Sequence, residues 1–583
     1  MPEERIINSV QSTAEFKIKM NGEALPRTIE ILGVHVSKII NKISMAKLVV
    51  LDGSAAESDF PMSNGDLFVP GNLVEISAGP PDNQVTVFNG IVTRQSLSIR
   101  NSRAPHLVVE CKHAAVKSSI VKRSRCYHDS TDDAAISEAF QASGLSAADL
   151  DLETTSITHK ELVQYNCTDW DFAVMRAENN SKMLLTNDEK LVMKKPDFSA
   201  ASALSLLFGA TILELDAEMD SRSQYKTVKA KAWDMAGQAI VESSATEPEL
   251  AEQGDITGTT LSDVTAQEEF LLQHSGALAE DELKMWADAQ LFKSRLARIR
   301  GRVKFEGIAT INAGDMLDLR GIGNRFNGNA FVSGVRHDYS AAEGWKTQAQ
   351  FGNTPDWFAD TMPVNTSKAG GLLAGTVGLH TGVVTDNEDP AGEFRVRVRF
   401  PFINADDDGV WARIALTDAG DGRGMFFRPE VGDEVIAGFL YDDPRQPVIL
   451  GMLHSSAKAS PLSPSNDNHQ KGYTSREKML LLFDDDKKEI TIETPGGNKV
   501  KISDDAKGIS LQDMNGNKLE MNDQGITISS PMKIEITAGT DLKLAAANLS
   551  VAANAALSLS GSGSSKIESS GMLEIKGSLV KIN

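Results

Sequence analysis

The sequence predicts a mainly β protein with a few helices. It would have an α+β N-terminal part of two small barrels, an OB-type barrel, and a C-terminal intertwined β-needle built by several copies of the chain. Three observations predict this. From Ile526 the apolar residues come as alternating pairs: Ile526/Ile528, Ile534/Ile536 and Leu542/Leu544. After a one-residue slip the beat resumes with Leu549/Val551, Leu557/Leu559, Ile567, Leu573/Ile575 and Val580/Ile582. Residues 378–456 hold five short strand-like runs, and residues 1–362 interleave many such runs with three helix-like ones.

Period-two alternation turns one face of each short strand toward an apolar interior. Two apolar residues in about eight, spaced by Ser, Thr, Ala, Asn, Lys and Gly, bury too little in one chain to offset the ordering of its backbone. Copies wound round one axis remove the difficulty, each supplying one wall of a dry core. The predicted core residues are Ile526, Ile528, Ile534, Ile536, Leu542, Leu544, Val551, Leu559, Ile567 and Ile575. Upstream, the run 497–502 recurs nineteen residues later as 516–521, each followed by an Asp-containing turn and Gly-Ile-x-hydrophobic. A repeat this short implies units that bury their faces on neighbours, as in β-helical stacks.

The remaining elements follow from local signals. Alternating or β-branched runs at 15–20, 47–52, 73–77, 85–96 and 107–111 read as strands. Helices are expected from Thr131 to Ser143 with Thr131 as N-cap, from Thr168 to about Glu178, and from Glu280 to Arg298. In 394–400 the alternation predicts four residues inward, Phe394 among them, and three arginines outward. Five strands in about 80 residues suit a Greek-key barrel of the OB type. The resulting division is 1–362, a small-residue linker at 363–377, the barrel at 378–456, a Ser/Pro/Asn-rich linker at 457–476, and the needle at 477–583.

A formal charge of −21 argues against nonspecific nucleic-acid binding and against adhesion to anionic lipid. Part of the acid is concentrated in 247–288, which reads as an acidic insertion loop, with a docking surface for a basic partner as the alternative. Three cysteines without zinc spacing, and an N-terminus with no basic region leading into an apolar core, suggest a protein assembled in the cytoplasm without a signal peptide.

No reaction chemistry is predicted. None of the ten histidines lies in an HExxH pair, and Cys126 with His128 only shares a strand face. Asp406–Asp408 and Asp484–Asp486 lack the ligand alternation of a calcium loop, and Gly321-Ile322-Gly323 lacks phosphate-loop spacing. No catalytic, cofactor or metal residue is therefore assigned.

Four passages carry a family resemblance: Pro429–Val435 with Asp442–Gly451; His454-Ser455-Ser456; Thr474–Arg476 through Phe483–Asp485 to Ile492–Asn498; and the closing Leu573–Asn583. Together they resemble VgrG proteins and the central spike proteins of contractile injection systems, namely type VI secretion, extracellular particles and contractile phage tails. The resemblance implies a homotrimer whose N-terminal hub matches a sixfold inner tube protein among baseplate proteins. It also implies an OB collar and a needle pointing away from the tube. A PAAR-repeat tip protein would dock on Leu579, Val580, Ile582 and Asn583. On sheath contraction the spike would puncture the target envelope, touching the membrane only transiently, deliver effector cargo, and leave with the particle. Some relatives insert a lysozyme domain after the collar or append an effector; here 457–476 is too short for one and the chain stops on the last rung, so no enzyme is expected. The competing reading is a trimeric tail-fibre-like adhesin that binds a cell-surface receptor.

Overall fold

Valine and isoleucine alternation between Ile31 and Leu51 builds the centre of the first of two units, 1–368 and 369–583. The computed structural model describes residues 15–186, 190–234, 236–266, 268–364 and 374–582. Val34, Val36, Leu48 and Val50 are fully buried, while Lys47 and Val49 between them are not. Ile31–Ile39 pairs on one side with Met45–Leu51 and on the other with Gly328–Ser340, joining distant parts of the chain into one thirteen-stranded sheet.

Two cores lie along this sheet. One gathers Val36, Leu48, Ile76, Phe88, Leu107 and Val109; the other gathers Val303, Phe305, Leu317, Leu319, Val332 and Phe351. The two barrels expected from sequence are thus two cores on one continuous sheet, and among the described residues neither strand group closes a hydrogen-bonded ring. The long Gly328–Ser340 strand causes this, pairing with Met316–Arg320, Gly344–Phe351 and Ile31–Ile39 in turn.

The three expected helices form at Asp132–Ala142, Asp169–Asn179 and Glu280–Leu296. Thr168 caps the second by accepting from the Asp171 N–H. Thr131 occupies the N-cap of the first, but its side chain makes no capping bond. The first two helices close a core around Ile136, Phe140, Trp170, Val174 and Leu184. Among the described residues, no helix is long and apolar enough to cross a membrane.

The acidic stretch 247–288 is folded structure rather than an insertion loop. Glu269–His274 pairs in parallel with Thr227–Asp234, and the last helix sets Leu283, Ala287 and Leu291 on Val228, Ala230 and Ala232. Several of its acids meet side chains of the same unit: Glu247 with Arg295, Asp255 with Arg325 at 2.6 Å, Glu269 with Lys229 at 2.8 Å, and Glu282 with His159 Nδ1 at 3.0 Å. Neither the strand nor the distant cations could be seen in the local composition.

Two buried polar groups lead to predictions. Glu178 accepts from Lys293 Nζ at 2.8 Å, Asn41 Nδ2 at 3.2 Å and the Phe358 N–H at 2.9 Å, pinning two helices and the 358 segment together. Glu178→Gln leaves the buried Lys293 ammonium without its counter-charge. A loss of about 3–5 kcal/mol is expected in the urea unfolding of the first unit. His337, buried against Thr347 Oγ1 at 3.0 Å, is pushed by burial, and secondarily by Lys38, from 6.5 down to about 3. The fold keeps this ring neutral while the unfolded chain protonates it. Its contribution to stability is therefore complete above roughly pH 6.5 and is lost as pH falls toward 3. His337→Gln is expected to flatten that slope in urea midpoints taken across this window.

In the second unit, His380–Asp386, Val396–Arg399, Val410–Ile414, Pro447–Met452 and Glu434–Phe439 close a barrel in that order. Its interior holds Val384, Val396, Val398, Phe400, Ala412, Val435, Ala437 and Ile449. Gly409 is required where it stands: φ is +89°, and a Cβ would meet the Val398 carbonyl oxygen at 2.0 Å. Phe394 corrects the expected alternation. The strand begins only at Val396, Phe394 has φ +57°, and its ring is 81% exposed. Three residues, not four, therefore point inward from this run.

Candidate functional site

Seven strands follow the barrel: Gln470–Thr474, Leu480–Asp484, Glu489–Glu493, Lys499–Ser503, Gly508–Gln512, Lys518–Asn522 and Gly525–Ser529. Each pairs antiparallel with the next. The nineteen-residue repeat is therefore a meander of hairpins rather than a β-helical stack. Its short turns dictate this, since a parallel return needs a crossover of a dozen or more residues. The repeat also reproduces the turn: Gly497 donates to the Thr494 carbonyl with φ +93°, and Gly516 to the Asp513 carbonyl with φ +87°.

The register aligns the apolar residues into two ladders on one face. Leu481 faces Ile492, then Val500, Leu511, Leu519 and Ile528; Phe483 faces Ile490, then Ile502, Ile509, Met521 and Ile526. The opposite face is charged and satisfied within the chain. Lys499 meets Glu493 at 2.9 Å, Lys501 meets Glu489 at 2.7 Å, and Lys518 meets Glu520. The Lys501 hydrogen bond holds the Glu489 carboxyl below the usual carboxylate range. One polar face and one apolar face are the mark of an antiparallel sheet that covers a core. Among the described residues that core has no second side: Leu481, Phe483, Ile490, Ile492, Ile502, Ile509 and Leu511 remain 36–51% exposed. Exposed apolar strips of this length are the kind that mark contact surfaces.

Of the predicted core residues, Ile526 and Ile528 form the last rung of the two ladders. Ile534, Ile536, Leu542, Leu544, Val551, Leu559, Ile567 and Ile575 fall in 530–582, which carries neither helix nor strand. The large apolar residues from Ile534 to Ile582 are 48–88% exposed, among them Leu579, Val580 and Ile582 of the expected docking tip; Asn583 lies outside the described residues. Sequence reasoning missed the ladder residues between Leu481 and Met521. The signal was present, because Leu481-x-Phe483, Ile490-x-Ile492, Val500-x-Ile502, Ile509-x-Leu511 and Leu519-x-Met521 keep the beat of Ile526-x-Ile528.

The residues weighed for reaction chemistry serve the fold. Burial pushes the Cys111 thiol up to about 12 and the Cys167 thiol up to about 11, so neither supplies a thiolate. Cys126 sits opposite Val163, and His128 opposite Glu161, on an antiparallel pair of strands. Asp407 accepts from the Gly409 N–H, and Asp484 from Gln470 Nε2 and the Lys487 N–H, as turn aspartates do.

Three stretches of the chain match known families. Residues 10–341, more than half of the chain, match the Alg8 N-terminal domain. Residues 380–454 match the type VI secretion system/phage-baseplate injector OB domain, and residues 489–583 match the phage baseplate V C-terminal trimerisation domain. Over 10–341 the chain belongs to the Alg8 N-terminal domain family, and beyond it the chain is VgrG-spike-like. Among VgrG relatives, the type VI secretion system spike protein VgrG4b of Pseudomonas aeruginosa is 36% identical over 102 residues, covering 15% of this chain and 12% of its own length. The spike protein VgrG3 of Vibrio cholerae is 37% identical over 71 residues, covering 12% of this chain and 7% of its own length. The aligned part thus spans about an eighth or less of these curated relatives. A 43 kDa tail protein of prophage MuSo2 from Shewanella oneidensis aligns with TM-score 0.44 and 10% identity, over 59% of this chain and 99% of that one. The ladder face of this VgrG-like chain lies largely inside the stretch that matches the trimerisation domain.

Proposed function

We propose that three copies of this chain assemble into the pointed spike of a contractile injection apparatus, with the ladder faces and the 530–582 tails closing one shared apolar core. The observation that carries the proposal is the pair of apolar ladders left uncovered among the described residues, continued by a tail rich in exposed Ile and Leu. Five of the seven strands are bonded to neighbours on both sides, which opposes peeling under axial load, and burial accumulates rung by rung.

In this reading residues 1–362 form the hub that meets the inner tube and baseplate proteins, 378–456 the collar, and 477–583 the needle, with linkers at 363–377 and 457–476. A PAAR-like cap sits on Leu579, Val580, Ile582 and Asn583. The spike acts mechanically, without catalysis of its own: contraction drives it through the target envelope and effectors travel with it. The antiparallel sheet and closed barrel, with aspartates spent on turns, support a structural role. The particle assembles in the cytoplasm and releases the spike on contraction.

Electron microscopy of particles from cells producing an epitope-tagged chain tests this. Label at the leading tip of the tube, with loss of intact particles when the chain is deleted, is the expected result. Label on lateral fibres, with intact particles after deletion, would favour the adhesin instead.

A further inference from the structure

Where the Glu280–Leu296 helix runs into the Ile299–Glu306 strand, two arginines share one carboxylate. Glu247 grips Arg295 through Nε and Nη2, and its own side chain is more than half exposed. Arg298 donates only to backbone, Nη1 to the Ile256 carbonyl and Nη2 to the Gln253 carbonyl at 2.7 Å. Burial, and secondarily the Arg295 charge, holds the Arg298 guanidinium below its usual range. This corner of the acidic stretch therefore carries a positive charge that no described carboxylate offsets.

A cleft of about 30 Å³ lies at this corner, with Gln253, Arg295, Arg298 and Asn329 as its polar side chains and apolar groups such as Phe198 and Phe331 around them. Among the described residues, no Asp or Glu lines it. Gln253 Nε2 and Arg295 Nη1 are buried donors without a hydrogen-bond partner, in residues only 7% and 5% exposed. Asn329 spends its side-chain oxygen on the Ser202 hydroxyl at 2.9 Å, which leaves its amide N–H groups as further donors. Gln224 Oε1, an unpartnered acceptor beside the Arg295 stem at Gly258, does not line the cleft. One water fills a volume of this size, but it brings no charge, and an uncompensated buried charge is the costlier defect.

We infer that this cleft is a binding site for a single monatomic anion, chloride, which accepts from Gln253 and Arg295 and offsets the charge on Arg298. The volume excludes phosphate and sulfate, whose four oxygens need more room than one water. Bound there, the ion ties the end of the helix to the segment that holds Gln253 and to the Gly328–Ser340 strand that holds Asn329. Charge-assisted hydrogen bonds in a buried setting give such an ion its hold.

The test is the urea midpoint of the first unit, measured in the full chain as sodium chloride replaces sodium methanesulfonate at constant ionic strength. Methanesulfonate carries the same charge and is too large for the cleft. The wild-type midpoint is expected to rise by about 0.3 M urea in chloride, because an ion that binds only the folded state stabilises it. Gln253→Glu sets a carboxylate in the cleft. It should lift the midpoint in methanesulfonate by about the same amount and abolish the response to chloride. Asn329→Asp, on the opposite element, repeats the measurement should Gln253→Glu disturb folding. Equal wild-type midpoints in the two salts would overturn the site and leave a water in the cleft. A chloride response that both variants keep in full would put the ion elsewhere and overturn the assignment as well.

Discussion

Leu511→Asp should turn the assembled protein into monomers. Leu511 faces Val500 on one side and Leu519 on the other, at the middle of the first ladder. In a shared core three copies bring three carboxylates toward one axis, where burial and mutual repulsion both oppose their ionised form. The cost is about 3 kcal/mol per copy, and it falls on every chain at once. The neighbouring Gln512 provides the contrast. It lies on the charged face between Lys499 and Lys518, where Gln512→Glu adds an acid beside two lysines. That change should alter stability by under about 0.5 kcal/mol and leave the mass unchanged. Sedimentation velocity and urea midpoints for the two variants decide the matter. A Leu511→Asp protein with unchanged mass and midpoint would mean that the ladder face is not a buried interface.

Truncation after residue 476 has the second large effect. It removes both ladders from Leu481 onward and all the apolar pairs of the tail, but none of the buried cores of the first unit or of the barrel. The product is expected to be monomeric and to keep the native circular dichroism and the acid-dependent midpoint of the first unit, because the cores built on Phe88, Val303 and Val398 close within one chain. Loss of folded structure in residues 1–362 on truncation would show that this part depends on residues 477–583.

How far the fold was legible depended on how local its cause is. The barrel strands and the three helices were readable because alternation, N-cap residues and apolar spacing act over a few residues. Phe394 was misread because one residue of positive φ, fixed by Asp389 on Arg395 and Arg428 on the carbonyl, interrupts an otherwise regular alternation. The joining of the expected barrels into one sheet depends on Ile31–Ile39 meeting Gly328–Ser340, some 300 residues apart, which no local pattern reports. The acidic stretch was misread for the same reason: Glu247 and Asp255 are acids of a folded segment whose partners, Arg295 and Arg325, lie 48 and 70 residues on. In the needle the beat of paired apolar residues was plain, but the role of Leu481 to Met521 emerged only when the hairpin turns fixed which pairs stand opposite one another.

The central claim is that the ladders and the tail are one side of a core completed by other copies. The light-scattering mass of the purified full-length chain tests it most directly. A mass near three times 62.9 kDa, stable on dilution, is the predicted result. A mass of 62.9 kDa from a protein whose C-terminal residues resist proteolysis would contradict it, since the apolar face would then be covered by its own chain.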